Sequence, residues 1–281
     1  MEISFLNLYN RIGTIFFDFA KSERKNIMKL GAQLFSLRNF IKTPEDIRTT
    51  FQKVKAMGFE NVQFSGGGPI DAHELKAISE ETGLPIVCTH SSFDRILGDT
   101  DALIEEHKIF GCPVIGLGSM PKEYRNGDKD MMSFFEDLKA PVQKILDSGL
   151  HFAYHNHAFE FELKTPDGEM LYDYMLRTLP HWQFIMDTYW VEYAGHSAIE
   201  YIEKIGAARL PNIHYKDMAK SEEREICACG IGVLDFAAIT EACIKNGGVV
   251  NVLIEQDNAV KFDDPFGQME IGFKSLRPLI K

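Results

Sequence analysis

Residues 61–90 read NVQFSGGGPIDAHELKAISEETGLPIVCTH. The stretch opens on a short apolar run, NVQF (61–64), passes a glycine-rich turn, and closes on a second run, PIVCTH (85–90). Between them DAHELKAISEETG (71–83) carries apolar residues at helical spacing and stops on a glycine. Short runs of this length, bounded by Gly, Pro or Asn, are what strands buried on both faces look like. Two such strands joined by a helix must lie parallel in one sheet, with the helix as the crossover.

The unit repeats outward in both directions. Further strand-like runs stand at LGAQLF (30–35), VIGLG (114–118), HFAYHNH (151–157), WQFIMD (182–187), NIHYKD (212–217) and VNVLIEQD (250–257). PEDIRTTFQKVKAMG (44–58) sets Ile47, Phe51, Val54 and Met57 on one face and ends at Gly58. DALIEEHKIFG (101–111) and MMSFFEDLKAPVQKILDSG (131–149) behave alike, the second with an expected kink or division at Pro141. Eight strands alternating with helices, without a linker, predict a single α/β domain over 29–281, a (β/α)8 TIM barrel. The alternative is an open doubly wound sheet. Its dinucleotide-binding form needs G-x-G-x-x-G after the first strand, and AQLFSLRNF has no glycine there.

Composition narrows the function. The 281 residues hold 30 Lys+Arg against 41 Asp+Glu, a formal charge of -11, which repels a phosphate backbone and leaves no basic run for nucleic acid. No apolar stretch reaches the roughly 20 residues of a membrane span. The five cysteines are odd in number and lack C-x2-C spacing, so neither a disulfide framework nor a thiolate zinc site is expected. Reduced thiols fit a cytoplasmic location. The opening MEISFLNLYNRIGTIFFDFAKSERKNI lacks a basic n-region and a cleavage site, so no signal peptide is expected. Met28 directly precedes KLGAQLF; residues 1–28 are either an added segment or an early translation start, with no expected role in the site.

Active-site groups of such barrels stand at the C-terminal ends of the strands. Those positions hold Gln33, Gln63, His90, His155 and His157, then Asp187, His214 with Lys216, and Glu255 with Asp257. Ionisable groups ending apolar runs cost free energy if merely buried, and four successive strands carry them. The bland alternative is an ion-pair layer closing the barrel top. Oxygen and imidazole donors without thiolate suit one divalent ion (Mn, Co, Zn or Mg), with Asp187, His214 and Glu255 as three ligands. Positions left open would take a sugar carbonyl or hydroxyl, and a Lewis acid there acidifies the adjacent C–H.

Several motifs together resemble a known family: GAQLFSLR, NVQFSG, YHNHAFEF, MDTYW, NIHYKD, CGIGVLDF and VLIEQD, in this order. The chain resembles the sugar phosphate isomerase/epimerase family, the xylose-isomerase-like barrels that include inosose dehydratase, ketose 3-epimerases and endonuclease IV. The resemblance implies a metal held by Glu, Asp, His and Glu on strands five to eight. The last three map to Asp187, His214 and Glu255. The strand-five position reads His155, so the fourth ligand is either His155 or Glu160, with Glu160 favoured because a carboxylate better balances the ion's charge. One of His155 and His157 is then the proton-transfer base, with Lys216 a further catalytic candidate. Where ketose epimerases carry a His three residues after the strand-six Asp, this chain has Trp190, which offers an apolar face to a sugar ring. Gln33, Gln63, His90, Trp190 and Asp257 are expected to touch substrate. CGIGVLDF could form a backbone nest for an anion, but is expected mainly to shape its loop, with Asp235 capping the next helix.

The expected function is a metal-dependent isomerase or epimerase that deprotonates beside a metal-bound carbonyl of a free or oxidised sugar. A lyase or dehydratase would share that first half and then expel a group β to the carbonyl. A non-catalytic sugar-binding module is the remaining alternative, and endonuclease chemistry fits neither the ligand count nor the charge. The expected partner is a small-molecule sugar, with homo-oligomer formation left open.

Overall fold

The computed structural model describes residues 28–280; the expectations for residues 1–27 lie outside the described residues. Eight parallel strands form the sheet: β1 (Lys29–Gln33), β2 (Asn61–Ser65), β3 (Ile86–His90), β4 (Val114–Leu117), β5 (His151–His155), β6 (Gln183–Asp187), β7 (Asn212–Tyr215) and β8 (Asn251–Ile254). Their order is β3-β2-β1-β8-β7-β6-β5-β4, so β1 pairs with β8 and the sheet curls round on itself. The remaining seam, β3 against β4, is tied by one bridge, Ser91 to Leu117. Gly116 makes that seam close: a Cβ there would stand 2.2 Å from the Thr89 carbonyl oxygen.

A helix follows each strand. They are α1 (Pro44–Met57), α2 (Ala72–Thr82), α3 (Thr100–Phe110), α4 (Ser133–Asp147), α5 (Leu171–Thr178), α6 (Ala198–Ile205), α7 (Phe236–Asn246) and α8 (Pro265–Leu276). The barrel expected from the alternation is the barrel observed. Local chemistry starts the helices where the sequence signals it. Thr43 and Asp46 form a reciprocal capping box at α1, Asp71 caps α2, and Asp235 caps α7 as expected. Of the kink or division expected at Pro141, the division does not occur: α4 continues through it as one helix. The ring removes one hydrogen bond, while Phe134, Phe135, Leu138, Val142 and Ile145 bury against the barrel on both sides of it.

Side chains alternate between the barrel interior and the helical layer. Inside, Cys88, Val114, Ala153 and Ile185 form an apolar cluster. Opposite them Asn61, Asn251 and Asn212 are chained amide to amide at 2.8 Å each. Gly31 leaves room for that chain, since a Cβ there would meet Asn61 Oδ1 at 1.9 Å. One step further along the same parity lie Gln33, Gln63, His90, His155, Asp187 and His214. That layer is the site.

Candidate metal centre at the barrel mouth

His155, Asp187, His214 and Glu255 each turn one ligand atom inward, and these four atoms lie within 4.8 Å of one another. All four residues are buried. Strand pairing sets this up, because Asp187 stands directly opposite His214 in the β6–β7 register. Asp187 Oδ1 also accepts the Trp190 N–H at 3.2 Å, capping Thr188–Tyr193, so Oδ2 is left for the interior. Asn156 braces the strand from behind by accepting the Asp187 N–H at 3.0 Å.

The two imidazoles have their outer nitrogens engaged. His155 Nδ1 donates to the Gly118 carbonyl at 3.0 Å, and His214 Nε2 donates to Gln63 Oε1 at 2.6 Å. Each ring thereby turns its other nitrogen inward. His155 Nε2 sits 3.3 Å from Asp187 Oδ2, and His214 Nδ1 sits 2.8 Å from Glu255 Oε2. His214 Nδ1 and Glu255 Oε2 are close without being aligned as a hydrogen bond. Two imidazole nitrogens and two carboxylate oxygens brought this close in a buried space form a ligand set that positive charge stabilises. The donor set fits one divalent ion, with nitrogen and oxygen ligands and outer partners that fix each tautomer.

Lys216 stands against the same group. Its Nζ lies 2.8 Å from Asp187 Oδ2, 2.9 Å from Glu255 Oε2 and 3.1 Å from Asp257 Oδ2. Burial works against the Lys216 ammonium, yet the Asp187, Asp257 and Glu255 charges overcome it and hold the pKa well above the ordinary lysine value. Burial likewise opposes ionisation of Asp187 and Glu255, but Lys216 and the histidines hold both below the usual carboxylate range. Burial raises Asp257. His214 is lowered by burial but raised on balance by Glu255 and Asp187.

Glu160, the favoured fourth ligand, is not brought to this group. Its Oε1 accepts the Tyr154 hydroxyl at 2.6 Å and its Oε2 accepts the His157 N–H at 2.7 Å. Tyr154 has the parity opposite to His155 and faces the helical layer, so Glu160 follows it outward. Tyr154 Oη in turn accepts the Met120 N–H at 3.1 Å, which ties the loops after β4 and β5 together. Burial pushes the Glu160 carboxyl up to about 8. The structure instead groups His155 with Asp187, His214 and Glu255.

The other expected site residues surround the group. The His90 ring lies 5.1 Å from that of His155 and 5.7 Å from that of His214. His157 stands 4.9 Å from His155 and 5.3 Å from Trp190, and the Lys216 ammonium is 5.6 Å from the Trp190 ring. Buried nitrogens on Gln33, Gln63, His90, His157 and Trp190 have no hydrogen-bond partner. Sequence reasoning missed Gly118, Asn156 and Tyr154, whose roles run through a backbone carbonyl or a second contact that residue type does not signal. The CGIGVLDF loop holds no vacant nest, because the Asp217 carboxylate accepts the N–H groups of Gly230, Gly232 and Leu234 at 2.8, 2.9 and 3.2 Å.

Among the described residues, no helix is long and apolar enough to cross a membrane. No family model matches the chain. Over 89 residues it is 34% identical to 3-dehydro-D-guloside 4-epimerase of Escherichia coli (strain K12). The match covers 31% of this chain and 31% of that relative. A sugar phosphate isomerase/epimerase from Parabacteroides distasonis ATCC 8503 superposes with a TM-score of 0.70 at 22% identity, over 90% of this chain and 100% of the other. The apo form of 3-keto-D-glucoside 4-epimerase from E. coli superposes with a TM-score of 0.62 at 21% identity, over 89% and 99%. These likenesses show the fold: the chain is a TIM barrel of the kind seen in proteins described as sugar phosphate isomerase/epimerase and as xylose isomerase domain protein.

Proposed function

We propose that the chain is an enzyme, an epimerase or isomerase acting beside the carbonyl of an oxidised sugar and dependent on one divalent ion. His155, Asp187, His214 and Glu255 would hold the ion. One observation carries the reading: two buried imidazoles, pinned from outside, turn their inner nitrogens toward two buried carboxylates, all four atoms within 4.8 Å of one another. When bound, the ion supplies Lewis acidity that makes a C–H beside a carbonyl easier to deprotonate.

The remaining steps fall to the chain's own groups. With His155 among the ligands, His157 is left as the base. Burial, reinforced by His155, holds its pKa well below 6.5, so the ring is neutral, and its Nδ1 has no partner. Lys216, held protonated by three carboxylates, is the proton donor that returns a proton to the sugar. The unpartnered nitrogens of Gln33, Gln63, His90 and Trp190 fit sugar hydroxyls, since a buried donor without an acceptor costs about 1–3 kcal/mol until a ligand fills it. The E. coli relative over residues of this chain is named for a keto-glycoside, and that substrate class is the one proposed here.

The test is a panel of keto-glycosides and free ketoses incubated in D2O with the Mn2+-supplemented protein and followed by NMR. An epimer carrying one deuterium at the inverted carbon is the expected product. Release of water or of the aglycone would assign the lyase chemistry instead, and no exchange on any substrate would overturn the proposal.

A further inference from the structure

We propose that Lys216 is the built-in counter-cation of the ligand group, and that a divalent ion enters only as its ammonium withdraws toward Asp257. The inference rests on reading the group as a metal centre. Lys216 Nζ reaches Asp187 Oδ2 and Glu255 Oε2 at 2.8 and 2.9 Å. These are the same two oxygens that face His155 Nε2 and His214 Nδ1. Ion and ammonium therefore draw on the same lone pairs, and two cations sharing them at such distances repel strongly in a dry pocket.

The way out is already marked. Lys216 donates a hydrogen bond to Asp257 Oδ2 at 3.1 Å. The Asp257 side chain is 29% exposed, against 0% and 4% for those of Asp187 and Glu255, so it stands on the solvent side of the group. Moving onto Asp257 keeps the ammonium paired while clearing the inner oxygens. Two carboxylates against one ammonium also explain how the ion-free centre tolerates burial: Lys216 leaves a single inner charge in excess.

Replacing Lys216 then has effects of opposite sign. The ion-free protein loses the charge that balances its buried carboxylates, and the ion loses its competitor. A lysine that merely supported the fold would produce only the first.

The chelator-stripped full chain is titrated with Mn2+ alone, and the ion-free protein is melted in parallel. Lys216→Met is expected to bind Mn2+ about tenfold more tightly while melting at a lower temperature without it. Asp257→Asn, which removes the place of withdrawal, is expected to weaken Mn2+ binding about fivefold in the wild-type background and by much less in the Lys216→Met background. Lys216→Gln is held to the same direction if the Met variant does not fold. Unchanged or weaker binding in the Lys216 variants, with wild type binding normally, overturns the proposal alone. An equal effect of Asp257→Asn in both backgrounds overturns the withdrawal. Failure of every protein in the series to take up Mn2+ overturns the metal reading and this proposal with it.

Discussion

Glu160→Gln separates a ligand from a carboxyl buried for another reason. Burial raises the Glu160 pKa from 4.5 to about 8 against hydrogen bonds from Tyr154 and His157 that favour the ionised form. A group with a raised folded pKa binds its proton more tightly in the native state. Its stabilising contribution is complete below about pH 4.5 and falls by about 1.4 kcal/mol per pH unit until it is lost above about pH 8. Gln has the shape and neutral hydrogen-bonding pattern of the protonated acid and does not titrate. The stability of wild type relative to Glu160→Gln should therefore fall by about 2–3 kcal/mol between about pH 5.5 and 7.5. Urea unfolding of the ion-free proteins, followed by tryptophan fluorescence, measures it. A difference that stays constant within about 0.5 kcal/mol over that range would refute the reasoning. Because Glu160 lies outside the ligand group, the variant should also take up as much metal as wild type.

Three other substitutions probe the site and its support. Asp187→Asn should cut metal content to a small fraction of wild type while the far-UV circular dichroism stays unchanged; full retention of metal would remove Asp187 from the ligand set. His157→Gln should keep its metal and lose about 10²–10⁴-fold in solvent deuterium exchange, whereas His155→Gln should lose the metal itself. If both histidine variants retain metal and exchange, the base lies elsewhere. Gly31→Ala should destabilise the barrel by about 1–3 kcal/mol in urea melts, because its Cβ meets Asn61 Oδ1 at 1.9 Å and Leu253 Cδ2 at 2.7 Å; an unchanged midpoint would contradict that packing.

Most of the fold could be read from the sequence because each strand is a short apolar run punctuated by turn residues, and the period repeats eight times. Asp187, His214 and Glu255 could be read for the same reason: strand ends locate them without knowledge of packing. Glu160 could not. Its charge made it a plausible ligand, but where it points depends on the turn after β5 and on Tyr154, which faces the helical layer and draws the carboxyl outward. Parity alone would have favoured His155, which shares the interior face with Ala153. That α4 is not divided at Pro141 is hidden for a related reason: five apolar side chains hold the helix on the barrel on both sides of the local breaker. Asn156 and Gly118 act through contacts with the chain 31 and 37 residues away, and no short-range pattern encodes such distances.

The central claim is that chemistry beside a sugar carbonyl depends on one ion held by His155, Asp187, His214 and Glu255. The most direct measurement is deuterium wash-in from D2O into a keto-glycoside by chelator-stripped protein as Mn2+ is added stepwise. The account predicts no exchange in the stripped protein, a rise that breaks at about one equivalent per chain, and no rise with Asp187→Asn. Exchange that proceeds undiminished in the stripped protein, or that survives in Asp187→Asn, would contradict it.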